Sequence, residues 1–171
     1  MIHIDPKKYR SDNFLPVDRM IEVVKELKKN GKKVGLSTGT FDLLHPGHVT
    51  HFISTKKLCD VLVVAVANDN YAINKNPCSG RPIYSEELRA FMVSKLKPVD
   101  YVFLDDGSVN TVDIIRPDIW FKGSDYIKNK NEGILIQEQK MAAMGGKVHY
   151  TEDEKLSTTD ILKHIKEKII I

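Results

Sequence analysis

The sequence predicts an α/β protein: five parallel strands in a doubly wound sheet, folded as a single domain. Three observations lead there. Apolar strand-like runs alternate with helix-like stretches along nearly all of the 171 residues, and such alternation favours parallel strands joined by right-handed crossovers. Residues 61–67 are apolar without interruption, as a buried strand is. The length suits one well-buried core, and no repeat, low-complexity tract or linker divides the chain.

Residues 1–16 read as an N-terminal arm, with the domain proper over 17–171. Met20, Ile21, Val23, Val24 and Leu27 recur at helical spacing, and Gly31 is a C-terminal stop. A strand over 33–38 follows, then a helix that begins near Pro46 and carries Val49, Phe52 and Ile53, then the strand 61–67. Residues 68–84 are polar and turn-rich, so a surface loop is expected. Ser85 can cap a helix whose first turn holds Glu86 and Glu87. Three more strands are expected at 100–104, 118–122 and 147–151, separated by helices at 109–115 and 132–144, with a last helix over 157–168. The whole is a Rossmann-like order of elements, in which ligands sit at the carboxyl ends of the strands.

Composition excludes several classes. With 42% hydrophobic and 29% charged residues the chain is neither disordered nor fibrous. A net charge of +3 is too small to argue for nucleic acid, although it suits a small anionic substrate. The longest apolar run, seven residues, is far short of a membrane span. The start, MIHIDPKKYR, lacks the apolar core of a secretory leader. Cys59 and Cys78 make no metal or redox spacing and read as reduced thiols of a cytoplasmic protein.

The chemistry concentrates in residues 37–48, STGTFDLLHPGH. A strand ends in a glycine-containing turn, and two histidines flank a Pro-Gly pair where a helix begins. Gly39 lets a ligand approach the backbone, and the free amides of a helix start favour an anion. Pro46 fits the first helical turn, where its missing amide costs nothing. Gly47 leaves room between His45 and His48, which can then face the same anion. Neither of the two commonest phosphate loops, GxxxxGK[ST] or GxGxxG, occurs.

HPGH at 45–48, with GTFD before it, resembles the HxGH signature of the nucleotidyltransferase superfamily. That superfamily includes cytidylyltransferases, phosphopantetheine adenylyltransferase and the nucleotidyl domain of ADP-heptose synthase. About a hundred residues on, LSTTD at 156–160 resembles the ISTT-type segment that closes over nucleotide phosphates. Asn68-Asp69 resembles the start of the family's nucleotide loop, and Lys75 follows where relatives carry phosphate-binding lysines. Arg81-Pro82 with Glu87-Leu88-Arg89, PDIWFKGSDY at 117–126 and GGKV at 145–148 are most similar to the ADP-heptose synthase domain. The stretch TEDEKLST at 151–158 lacks the arginine of the glycerol-3-phosphate cytidylyltransferases, and the 171 residues hold no stretch that reads as the sugar kinase of the bifunctional heptose enzymes.

The resemblance implies in-line attack of a substrate phosphate on the nucleotide α-phosphorus, with pyrophosphate leaving. It implies catalytic roles for His45, His48 and Lys75. Nucleotide contacts are implied for Thr38, Gly39, Thr40, Phe41, Asp42, Asn68, Asp69, Arg89, Lys122, Gly123, Asp125, Ser157, Thr158 and Thr159. Asp42 could instead cap the turn, and the 157–159 triplet could close on a nucleotide or cap the last helix. Magnesium is expected to arrive with the triphosphate, without a dedicated protein site. The partners expected are a nucleoside triphosphate and a phosphorylated small molecule, with no nucleic acid and no membrane. A homo-oligomer, a dimer, is expected in the cytoplasm.

The favoured reaction uses ATP and a sugar phosphate of the heptose-1-phosphate kind. The alternatives are a cytidylyltransferase acting on another phosphorylated substrate, and a catalytically silent nucleotide-binding regulator. An unrelated flavodoxin-like binding module would show no special sensitivity at His45 or His48.

Overall fold

In a computed structural model that describes residue 5 and residues 8–75, 80–128, 130–153 and 156–169, helix α1 (Val17–Lys29) leads into β1 (Val34–Gly39), α2 (Pro46–Lys56) and β2 (Val61–Ala67). Helices α3 (Asp69–Lys75) and α4 (Glu86–Ser94) precede β3 (Tyr101–Asp105) and α5 (Thr111–Ile115). The remainder is β4 (Ile119–Lys122), α6 (Asp125–Lys128), α7 (Glu132–Ala143), β5 (Lys147–Tyr150) and α8 (Thr158–Lys168).

The five strands are all parallel and lie in the order β3-β2-β1-β4-β5. Chain order reverses direction between β1 and β4, so a crevice opens at their carboxyl ends. β2 lies inside the sheet with all seven residues buried, which is why its sequence carries no polar alternation. Two apolar clusters cover the two faces of the sheet. One joins Met20 and Val24 of α1 to Leu36, Val63, Phe103, Trp120 and Met141. The other joins Phe52 of α2 and Val93 of α4 to Leu62, Val64, Val102 and Phe121.

Two expectations need correction. The stretch 68–84 is not all loop: residues 69–75 form α3, started by Asn68, whose side-chain oxygen accepts from the Tyr71 amide at 2.8 Å. Ala72 is the buried residue of this helix, so no apolar stripe announces it. Ser85 stands at the N-cap of α4 but makes no side-chain capping bond.

Residues 13–15 lie against β3. Phe14 bridges Val102 in parallel, with Leu15 N donating to Val102 O at 2.9 Å and Val102 N to Asn13 O at 2.8 Å. The Tyr9 ring meets Phe91 of α4 edge-on at 5.3 Å. Cys59 is half-buried with its thiol pushed up to about 11 by burial, which makes it unreactive; Cys78 lies outside the described residues.

Candidate functional site

A cleft of about 370 Å3 opens at the carboxyl ends of the strands, within the size range of small-molecule sites. Its floor is the β1 end and the turn after it, from Thr38 to Asp42; its walls come from α2, α3, β3–α5, β4–α6, the segment after β5 and the start of α8.

Pro46 is the first helical residue of α2 and His45 its N-cap, as the sequence implies. The His45 and His48 rings stack at 3.7 Å with 22° between planes. Gly47 permits this: a Cβ there would meet the His45 ring at 3.1 Å and the Leu156 carbonyl at 3.0 Å. At Gly39, the space a side chain would need is filled by the Phe41 ring, 2.8 Å from the Cβ position. Phe41 also meets His48 edge-on at 5.4 Å.

Both histidines are held neutral. Burial lowers the pKa of His48 to about 3, helped by the charges of His45, His51 and Arg81. Burial, then Arg81, lowers that of His45, against Asp160. Among the described residues, the Nδ1 atoms of both are buried with no hydrogen-bond partner. An unpaired buried N–H is rarer than an unpaired acceptor, so the ring proton belongs on Nε2, the nitrogen left to serve a ligand.

One turn further along α2, at the same i+3 spacing, stands His51, which sequence reasoning missed. Ser37 Oγ lies 2.7 Å from its Nε2 and Thr151 Oγ1 3.2 Å from its Nδ1. Burial lowers its pKa to about 4, with Asp153 opposing and Lys122 assisting. The i, i+3, i+6 spacing of His45, His48 and His51 was the available signal.

Asp42 is an internal tie. It is 1% exposed, and its carboxylate accepts from the amides of Ile83 and Tyr84 and from Arg81 Nε, at 3.0 to 3.3 Å. Its carbonyl accepts from Thr158 Oγ1 at 2.6 Å. Phe41 and Leu43 on either side have φ of 51° and 50°, a left-handed conformation that costs a non-glycine residue about 1–2 kcal/mol. The bonds gathered on Asp42 hold that strained turn in place.

Lys122, at the end of β4, lies over the rings of Trp120 and Tyr126, 4.8 and 4.6 Å from their centroids. Burial first, then the charge of Lys75, lowers its pKa to about 8, against Asp125 and Asp105. Lys75, Gly123 and Asp125 line the same cleft.

The start of α8 forms the last wall. Ser157 and Asp160 make a reciprocal capping box, with Ser157 Oγ 2.5 Å from Asp160 Oδ2 and Asp160 N donating to Ser157 Oγ at 3.2 Å. The amides of Thr158 and Thr159 are among those a helix start leaves without an internal partner, and both residues face the cleft. Glu154 and Lys155, just before, lie outside the described residues.

Because the Thr158 hydroxyl is turned inward to Asp42, the Thr158→Val variant should lose stability before it loses ligand affinity. An unpaired buried carbonyl costs about 1–3 kcal/mol, or roughly 2–4 °C in melting temperature per kcal/mol for a domain of this size. Thermal melts of the variant, with serine at 158 as the restoring control, measure it.

The structure thus brings His45, His48, Lys75, Thr38, Gly39, Thr40, Phe41, Asp42, Lys122, Gly123, Asp125, Ser157, Thr158 and Thr159 to one cavity. Three candidates stand elsewhere. Arg89 is fully buried, donating to Tyr84 O, to Thr40 O at 2.6 Å and to Asp69 Oδ1 at 2.7 Å. Asp69 serves that ion pair, and Asn68 caps α3. Neither a phosphate contact nor a solvated surface cation describes Arg89: it supports the floor of the cleft from beneath. Asp105, Tyr71, Gly107, Ser108, Thr111, Gln137 and Asp153 line the cavity and were not anticipated. Asp105, at the end of β3, could have been found from the rule that ligands sit at strand carboxyl ends.

A family model described as Cytidylyltransferase-like matches residues 36–164. The bifunctional protein HldE of Paramagnetospirillum magneticum is 38% identical over 154 residues, 88% of this chain and 30% of that protein. HldE of Helicobacter pylori strain J99 is 34% identical over 156 residues, 90% of this chain and 31% of that one. The chain therefore spans less than a third of the length of these curated relatives. Among solved structures, the lipopolysaccharide core biosynthesis protein from Thermoplasma volcanium matches with a TM-score of 0.59 and 34% identity, covering 74% of this chain and 100% of that one. Pantoate-beta-alanine ligase from Francisella tularensis, at 16% identity and a TM-score of 0.61 over 91% of this chain and 77% of its own, shares the fold. Among the described residues no helix is long and apolar enough to cross a membrane.

Proposed function

The chain belongs to the cytidylyltransferase-like family, and on that premise we propose that this nucleotidyltransferase moves a nucleoside monophosphate from ATP onto a sugar phosphate of the heptose-1-phosphate kind. The observation that carries the reading is the stacked, neutral His45–His48 pair facing a cleft whose other walls hold Lys75, Lys122 and the start of α8. HldE relatives over most of the chain support the sugar-phosphate branch.

In the reaction, an oxygen of the acceptor phosphate forms a bond to the α-phosphorus as the bond to the bridging oxygen breaks, and pyrophosphate leaves with that electron pair. Negative charge gathers on the α-phosphate oxygens and on the bridge. His45 and His48 donate from Nε2 to those oxygens; being neutral beforehand, they need no proton transfer to do so. Lys75 and Lys122 hold phosphate charge, and the free amides of Thr158 and Thr159 meet the outer phosphates. Positioning and charge stabilisation carry the catalysis.

The residues fit magnesium that comes bound to the triphosphate. Asp105, Asp125 and Asp153, three of the carboxylates that line the cleft, would help hold it there with the phosphates. When bound, the ion neutralises and aligns the polyphosphate. The same reading takes the protein to be a cytoplasmic homodimer, with residues 1–16 as an arm on a catalytic domain over 17–171.

Pyrophosphate release, measured with the four nucleoside triphosphates against candidate phosphates, tests the proposal. ATP should exceed CTP by at least about tenfold, or 1.4 kcal/mol. A preference for CTP assigns a cytidylyltransferase acting on another phosphorylated substrate. Nucleotide binding without release of pyrophosphate assigns a regulator.

A further inference from the structure

Pairing of β1 with β4 sets Leu36 beside Trp120, and so brings Thr38 and Lys122 together at the floor of the cleft. Trp120 Nε1 donates to Thr38 Oγ1 at 3.3 Å, and Lys122 Nζ donates to the same oxygen at 3.1 Å. A hydroxyl oxygen has two lone pairs and one proton. Here both lone pairs are taken by groups that can only donate, since an indole N–H and an ammonium have no acceptor to offer. The Thr38 proton must go to a third partner, and no acceptor for it is found among the described residues. Thr38 lines the cleft, as do His45, His48 and Lys122.

We infer that Thr38 is a hydrogen-bond donor of fixed direction, its proton turned into the cleft by Trp120 and Lys122 and given to a phosphoryl oxygen of the ligand. The inference rests on the nucleotidyl-transfer reading of the cleft and deepens it: Thr38, already expected at the nucleotide, gains a fixed proton direction and a phosphoryl acceptor. Lys122 is then a positioning residue for Thr38 as well as a charge. A donor whose direction is set before the ligand arrives needs no reorganisation when charge develops, which is the condition for effective electrostatic stabilisation.

The arrangement depends on the protonation of Lys122. Lys75 of α3 pushes its charge off, Asp105 of β3 and Asp125 of α6 favour it, and burial brings the pKa to about 8. Below that value the ammonium can only donate. Above it the amine has a lone pair, accepts the Thr38 proton and turns the hydroxyl away from the ligand.

Inorganic tripolyphosphate is the probe, because its binding needs neither the right base nor the right acceptor. At pH 7, Thr38→Val should bind it roughly 10- to 100-fold more weakly than the unsubstituted chain, the range for a hydrogen bond to a charged group. Thr38→Ser, which keeps the hydroxyl, should stay within about threefold. Toward about pH 9.5 the ratio between the unsubstituted chain and Thr38→Val should shrink, since the donor has turned; a merely structural role would leave that ratio constant. Melting temperatures of the variants check folding, and Thr38→Ala, which only removes atoms, replaces the valine variant if that one misfolds. Equal binding by the unsubstituted chain and Thr38→Val at pH 7, or a ratio that does not change with pH, overturns the inference alone. Failure of the unsubstituted chain to bind tripolyphosphate overturns the reading of the cleft as a polyphosphate site, and this inference with it.

Discussion

His48→Ala should lower turnover by roughly 100- to 1000-fold at saturating substrates, the effect of losing one donor aimed at developing charge. The side chain stacks on His45 and sits edge-on to Phe41, and its pKa of about 3 keeps it neutral in the free protein. A neutral imidazole with a buried Nδ1 offers one N–H, and alanine offers none. Pyrophosphate release under saturating conditions reads the loss, with a melt to show that the variant is folded. A second readout follows from the pKa: the free protein should show no loss of ligand affinity from His48 titration near pH 6.5. An unchanged turnover in the variant removes His48 from the chemistry.

Acid should destabilise the folded chain strongly. The ordinary histidine pKa is 6.5, whereas folding lowers that of His48 to about 3 and that of His51 to about 4. Below pH 6.5 the unfolded chain takes up protons that the folded chain refuses. Their contribution is therefore complete above pH 6.5 and is lost progressively as pH falls toward the folded values. Each residue contributes a slope approaching 1.4 kcal/mol per pH unit, so the two together lose about 3–4 kcal/mol between pH 7 and pH 5. That corresponds to roughly 10 °C in melting temperature. His51→Gln, which cannot take up a proton, should remove about half of the decline. A melting temperature that stays level from pH 7 to pH 5 would show that both rings accept protons in the folded state.

The parts of the fold that the sequence announced are those whose burial writes a pattern. The seven apolar residues of β2 follow from a strand covered on both faces, and Pro46 marks the start of α2 because only a helix's first turn tolerates it. Helix α3 escaped because its start is made by the Asn68 side chain and by Glu86, which accepts from the Asp69 amide at 2.6 Å from seventeen residues away. Neither contact leaves a periodicity. The site was legible where residues act near one another in sequence: HPGH gives the histidine pair, and LSTTD gives the start of α8. It was illegible where function depends on distant partners. Nothing in the local sequence separates a cation that meets phosphate from one that is buried, and Arg89, paired with Asp69 and bonded to Thr40 O, is of the second kind. The internal role of Asp42, which spans 39 to 42 residues to reach Arg81, Ile83 and Tyr84, is equally a matter of tertiary structure.

Residues 13–15 bear on how one edge of the sheet is closed. A sheet ends in two edge strands, and an edge with unpaired amides and carbonyls is a template for another chain. Here residues 13–15 occupy the free side of β3, using both the amide and the carbonyl of Val102. The opposite edge, β5, is guarded differently: Lys147 and His149 are exposed along its four residues. A chain trimmed to begin at Val17 would retain every residue of the cleft, yet it would leave Val102 open to strand addition. Such a trimmed protein should be prone to edge-to-edge aggregation while keeping the cleft residues, because residues 13–15 are what cover the β3 edge at Val102.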